Sequence, residues 1–127
     1  MKQSTGRPVF LNLLQIRLPL GGVLSIIHRV SGVLLVLAIP ALIYFLQLLN
    51  GGEESFAQAG AFLHTVPGKI ILSLITWLLI QHSMSGFRHL LMDLDFSYNK
   101  HIARKTALVA FSFSFMLILV TGVLIWF

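Results

Sequence analysis

The chain has no cysteine, and only four of its 127 residues are carboxylates. The first absence excludes disulfides, thiolate-held iron–sulfur clusters, cysteine zinc sites and covalent c-type haem attachment. Any metal must be held by histidine or carboxylate. Charge of both signs is scarce, 10% of residues against 57% hydrophobic, a balance that a small soluble domain could not keep off its surface. Three crossings of a bilayer would consume about 60 residues at about 20 each, which leaves no room for a second domain in residues 1–127. The long apolar run begins only after Gly21, too late and too long for a signal peptide, and there is no repeat, low-complexity tract or linker. A net charge of +5 would suit nucleic acid, but the nine Lys and Arg are spread along the chain beside apolar runs, as membrane-flank charges are. No nucleic-acid partner is expected.

What is there reads as an all-α membrane protein with three transmembrane helices, predicted at about 22–49, 69–92 and 106–127, after an N-terminal segment 1–20. Residues 30–49, VSGVLLVLAIPALIYFLQLL, extend about 30 Å at ~1.5 Å per residue, the thickness of the hydrocarbon layer. Pro40 falls inside this helix and is expected to bend it. Pro8 can open a short interfacial helix with Val9, Leu13 and Ile16 on one side and Pro19 at its end. Asn50-Gly51-Gly52-Glu53-Glu54 breaks the pattern and starts a predicted loop to about Pro67. The next span turns polar after Ile80, with Gln81, His82, Ser83, Ser85, Arg88 and His89. A predicted polar loop from Asp93 to Lys105 leads to the last span, which ends at Trp126, an interfacial anchor.

Basic residues orient the chain. Lys2, Arg7, Arg17 and Arg29 flank the N-terminal side, and Arg88, Lys100, Arg104 and Lys105 the second loop, whereas the first loop holds only Lys69. The positive-inside rule then puts the N-terminus in the cytoplasm and the C-terminus outside.

Ionisable groups at membrane depth are costly and mark function. Ser25, His28 and Arg29 are spaced i, i+3 and i+4 and share a helix face, with Gly22 and Gly32 on or near it. His82, Gly86 and His89 share another, with Arg88 at its edge. His82 lies about six residues, ~9 Å, from the Arg88 end of its span, so both clusters meet at one level, just beneath the cytoplasmic face. A neutral imidazole beside a small residue suits a haem iron, and without thiols the haem would be b-type; His82 is the candidate. Arg29 and His28 suit haem propionates or a quinone carbonyl, and the Ser25 hydroxyl can donate to the same quinone.

Each of these residues also has a plainer use. Histidines in membrane helices hydrogen-bond to other helices, and Arg29 and Arg88 can snorkel to a helix end. His64 and His101 read as solvated. Asp93 and Asp95 are suited to neutralising Arg88, Lys100 or Arg104, and Glu53 and Glu54 read as loop charges. A haem-free structural or assembly protein, and an oligomeric proton carrier relaying through His28, Arg29 and His82, are the rival classes; against the carrier, no carboxylate lies within the apolar spans.

Arg7-Pro8-Val9, Ile16-Arg17, Pro19 and Ser25-Ile26-Ile27-His28-Arg29-Val30-Ser31-Gly32 closely resemble the bacterial cytochrome b large anchor subunit of succinate dehydrogenase, whose hallmark is Ser-x-x-His-Arg-x-Ser-Gly. His82-x-x-x-Gly86-Phe87-Arg88-His89-Leu90-x-Met92-Asp93 resembles its second signature, with Phe87 and Ile27 as minor departures. The resemblance covers essentially the whole chain. It implies a place in a hetero-oligomeric haem-binding helix bundle in the bacterial inner membrane, with a second small anchor subunit, an iron–sulfur subunit and a flavoprotein subunit as partners. It implies His82 as an axial ligand of a haem b shared with the second anchor, Ser25 and Arg29 as ubiquinone-site residues, and His28 with Arg29 at the propionates. His89 and Asp93 belong to the second signature without an assigned contact. A fumarate reductase anchor has similar architecture.

Overall fold

A computed structural model describes residues 18–94 and 99–127. The described residues form four helices and no strand: α1 (Leu20–Asn50), α2 (Glu53–His64), α3 (Val66–Asp93) and α4 (Lys100–Trp126). Three of these, Leu20–Asn50, Val66–Asp93 and His101–Trp126, are long and apolar enough to cross a membrane. All three predicted spans are therefore present, each somewhat longer than predicted. Pro19, in extended conformation, precedes the first turn of α1; the proposed interfacial helix lies outside the described residues. The α-helix runs on through Pro40.

The loop predicted after Asn50 contains a twelve-residue helix, α2. Gly52 makes the corner at φ 104°, a backbone angle that side chains resist, and Glu53 and Glu54 occupy the first turn, where the helix dipole favours acid. Thr65 then starts α3, its hydroxyl accepting from the Gly68 amide at 3.2 Å, with Pro67 in the first turn where no amide hydrogen is needed. Asn99 does the same for α4, its side-chain oxygen accepting from the His101 amide at 3.0 Å. The second predicted loop is accordingly shorter than expected, because Lys100 to Lys105 are helical.

α3 is the central element and packs against each of the other three helices. Its buried stripe is Leu78, Gln81, Ser85 and Arg88, one face at i, i+3, i+7 and i+10. On α4 the buried positions are Ala107 and Ser114, small residues that let helices approach closely. At the end where α3 begins, Trp126 Nε1 donates to Ser73 Oγ at 3.1 Å and Lys69 Nζ donates to the Trp126 carbonyl at 3.3 Å. At the other end, where α1 begins, α3 ends and α4 begins, Arg88 donates from Nη2 to the Ala103 carbonyl at 3.3 Å and lies against Gly21. Most apolar side chains on the spans point outward, Val36 63% and Leu37 70% exposed among them, as befits surfaces solvated by lipid or by another subunit.

Candidate functional site

The two histidine clusters meet at the crossing of α1 and α3. The His28 and His82 rings stack, centroids 4.3 Å apart and planes 18° from parallel, and His89 leans on His28 at 5.3 Å. Glycine makes this possible in both directions. A Cβ on Gly32 would lie 2.9 Å from His82 Cε1, and one on Gly86 would lie 3.2 Å from His28 Nε2. Each helix thus lays its histidine over the other's glycine. The same five-residue pattern lies behind it, His28-Arg29-Val30-Ser31-Gly32 on α1 and His82-Ser83-Met84-Ser85-Gly86 on α3, and two antiparallel helices carrying it can cross with near two-fold equivalence.

The hydrogen bonds break that equivalence. His82 Nδ1 lies 3.1 Å from the His28 carbonyl oxygen and 3.3 Å from Ser31 Oγ. A carbonyl can only accept, so Nδ1 carries the proton and Nε2 keeps the ring's lone pair. On the other helix Ser85 Oγ instead accepts from Gln81 Nε2 at 3.0 Å. Of the two stacked rings, His82 is the one with a defined tautomer.

Beside these rings, His28, Arg29, Gly32, Val33, Val36, Leu37 and His82 line a groove of about 510 Å³, open on the outer side of the bundle. Its walls are aliphatic apart from the imidazoles and the exposed Arg29 guanidinium. Among the described residues no three His, Cys, Asp or Glu side chains cluster to chelate a metal. A porphyrin supplies four nitrogens of its own and asks the protein for axial ligands, an apolar slot and a partner for its carboxylates. One imidazole with a free Nε2, an aliphatic wall and an arginine at its edge fit that demand.

The sequence-predicted site residues fall as follows. His28, Arg29 and His82 line the groove together; half-buried Ser25 lies one turn nearer the start of α1 and does not line it. His89 contacts His28, and Asp93 is exposed at the last residue of α3 and forms no ion pair with the described residues. Asp95 lies outside them. Arg88 does not snorkel: it is 5% exposed and bound to a backbone carbonyl of α4. Ser31, buried at the centre of the crossing, was visible only as a motif letter, although its i+3 spacing from His28 puts it on the same face.

Fold and site together define a multi-pass helical membrane protein with an imidazole-lined groove between two of its spans. The chain belongs to the succinate dehydrogenase/fumarate reductase transmembrane subunit family, which it matches over residues 3–121. It is 36% identical over 121 residues to a succinate dehydrogenase cytochrome b556 subunit of Coxiella burnetii, covering 94% of this chain and 97% of that protein. A succinate dehydrogenase cytochrome b556 subunit of Paracoccus denitrificans is 30% identical over 115 residues, 91% of this chain and 88% of its own length.

Proposed function

We propose that this chain is a membrane anchor of a bacterial succinate dehydrogenase that ligates haem b through His82 Nε2 and contributes Ser25 and Arg29 to the ubiquinone-reduction site. The observation that carries the haem assignment is the occupied Nδ1 of His82, which leaves one lone pair on a ring that lines an aliphatic groove. The relatives' names mark them as b-type cytochromes, and a chain without cysteine can hold such a haem only non-covalently. When bound, the haem supplies a one-electron carrier within the membrane. Arg29 and His28, which line the groove, would pair with its carboxylates. The exposed aliphatic wall, Val36 and Leu37 included, would suit a second small anchor subunit with which the haem would be shared.

Flavin and iron–sulfur chemistry belongs to flavoprotein and iron–sulfur subunits, since this chain has no thiolate to hold a cluster. With the N-terminus in the cytoplasm of a bacterial inner membrane, the start of α1 faces those subunits. Ubiquinone takes up two electrons and two protons. The Arg29 guanidinium and the Ser25 hydroxyl are donors that hold a quinone carbonyl oxygen and stabilise the negative charge that grows there. A charge-assisted hydrogen bond contributes about 1.5–3 kcal/mol, or about 10- to 100-fold in quinone turnover or binding.

The test uses the whole complex. Arg29→Ala is expected to lower succinate–ubiquinone activity on that scale while leaving succinate oxidation with a water-soluble dye unchanged, and Arg29→Lys is expected not to restore it, because an ammonium lacks the planar fork. Native quinone kinetics in both variants would remove Arg29 from the site. The named relatives favour the succinate-oxidising direction over a fumarate reductase anchor.

A further inference from the structure

Building on the haem assignment above, we propose that Ser31 is a positioning residue: its hydroxyl, accepting from His82 Nδ1–H beside the His28 carbonyl, holds the ring plane of His82, makes the imidazole more basic and thereby lowers the reduction potential of the haem that His82 holds.

Ser31 Oγ donates its one hydrogen to the His28 carbonyl at 2.9 Å, so toward His82 Nδ1, 3.3 Å away, it can only accept. The His28 carbonyl, 3.1 Å from the same nitrogen, can only accept as well. Nδ1–H, the hydroxyl and the carbonyl therefore close a small cycle in which a hydroxyl that donates becomes a better acceptor. Ser31 is 1% exposed, so water cannot take its place. The stacked His28 ring bounds one face of His82, and Gly32 leaves the Cε1 edge lying directly on the α1 backbone. The hydroxyl and carbonyl bound the Nδ1 edge.

A serine in a membrane helix often does no more than satisfy its hydroxyl on a carbonyl one turn back. Ser114 is such a serine: equally buried, it donates to the Ala110 carbonyl at 2.8 Å and makes no cross-helix hydrogen bond among the described residues. Ser31 makes the same kind of local bond and in addition meets the neighbouring helix at a ring nitrogen. Acceptors on the distal N–H of a ligating imidazole make it more basic and favour the oxidised metal. Ser31 thus distinguishes His82 from the stacked His28, and the corresponding Ser85 faces Gln81 instead.

The experiment compares Ser31→Ala, Ser31→Thr and Ser114→Ala in the intact complex, by haem content, redox titration of the b-type absorbance band and the low-spin electron paramagnetic resonance signal. Ser31→Ala is expected to keep its haem, raise the midpoint potential and shift the resonance signal, while Ser31→Thr, which retains the hydroxyl, and Ser114→Ala stay native. Haem lost from Ser31→Ala but kept at native potential in Ser31→Thr equally supports the proposal. A native or lowered potential in Ser31→Ala overturns it, as does any change shared by Ser31→Ala and Ser31→Thr, which would assign the effect to packing. His82→Ala is run alongside. Haem unaffected by His82→Ala sinks the ligation assignment itself, whereas a native Ser31→Ala potential in a complex whose haem depends on His82 sinks only the role of Ser31.

Discussion

Adding one methyl group at Gly32 is the sharpest perturbation that the α1–α3 crossing offers. The new Cβ would stand 2.9 Å from His82 Cε1 and 3.3 Å from Nδ1, whereas carbon atoms rest at about 3.5–4.0 Å. The ring must withdraw by roughly 0.6 Å or more, which takes Nδ1 from 3.1 Å to about 3.7 Å from the His28 carbonyl, beyond hydrogen-bonding distance. Losing that part-buried bond costs about 1–3 kcal/mol, similar to the ordinary cost of overpacking a core. Gly32→Ala is therefore expected to weaken haem retention by about 5- to 150-fold, measured as the haem that stays with the detergent-solubilised complex on dilution. Gly122→Ala is the matched control, because a Cβ there meets nothing within 4 Å and alanine is the better helix former by about 1 kcal/mol. A Gly32→Ala complex with native haem content and spectrum would refute the reasoning, since the ring would then not be seated where the crossing puts it.

Gly68→Ala is expected to destabilise more than Gly32→Ala, because its Cβ would run into the Phe62 carbonyl group and lie 3.0 Å from Leu63 Cα; backbone cannot step aside, and loss of about 3 kcal/mol or more should show as early thermal unfolding in detergent. Arg88→Ala removes a side chain that is 5% exposed and the bond to the Ala103 carbonyl; a cost of about 2–4 kcal/mol should appear as a lowered unfolding temperature. A change within about 0.5 kcal/mol would show that the α1–α3–α4 junction does not depend on it.

The spans were legible because their apolar runs are longer than any soluble helix needs, and the two polar faces because three or four residues return a side chain to the same side. What escaped was information held jointly by several helices. α2 reads as loop in the sequence because Gly51-Gly52 and Pro67 bracket a stretch rich in polar and small residues, although Phe56, Ala59 and Phe62 repeat at helical spacing. The start of α4 was hidden by Arg104 and Lys105, charges that read as loop but sit on a helix capped by Asn99. Arg88 reads as a snorkelling end residue; it is instead buried where α1, α3 and α4 meet, against Gly21 and bonded to the Ala103 carbonyl. The reciprocal fit of His28 on Gly86 and His82 on Gly32 depends on the register of α1 against α3, which neither helix encodes alone. The shared His-x-x-Ser-Gly pattern was its one trace in the sequence.

Haem ligation by His82 is tested most directly by the reduced-minus-oxidised visible spectrum of solubilised membranes containing the complex, with His82→Ala set against His64→Ala, a histidine exposed on α2. A b-type band that is lost or shifted in His82→Ala and native in His64→Ala is the predicted result. A native band in His82→Ala would contradict the account, leaving the crossing of α1 and α3 as helix packing alone.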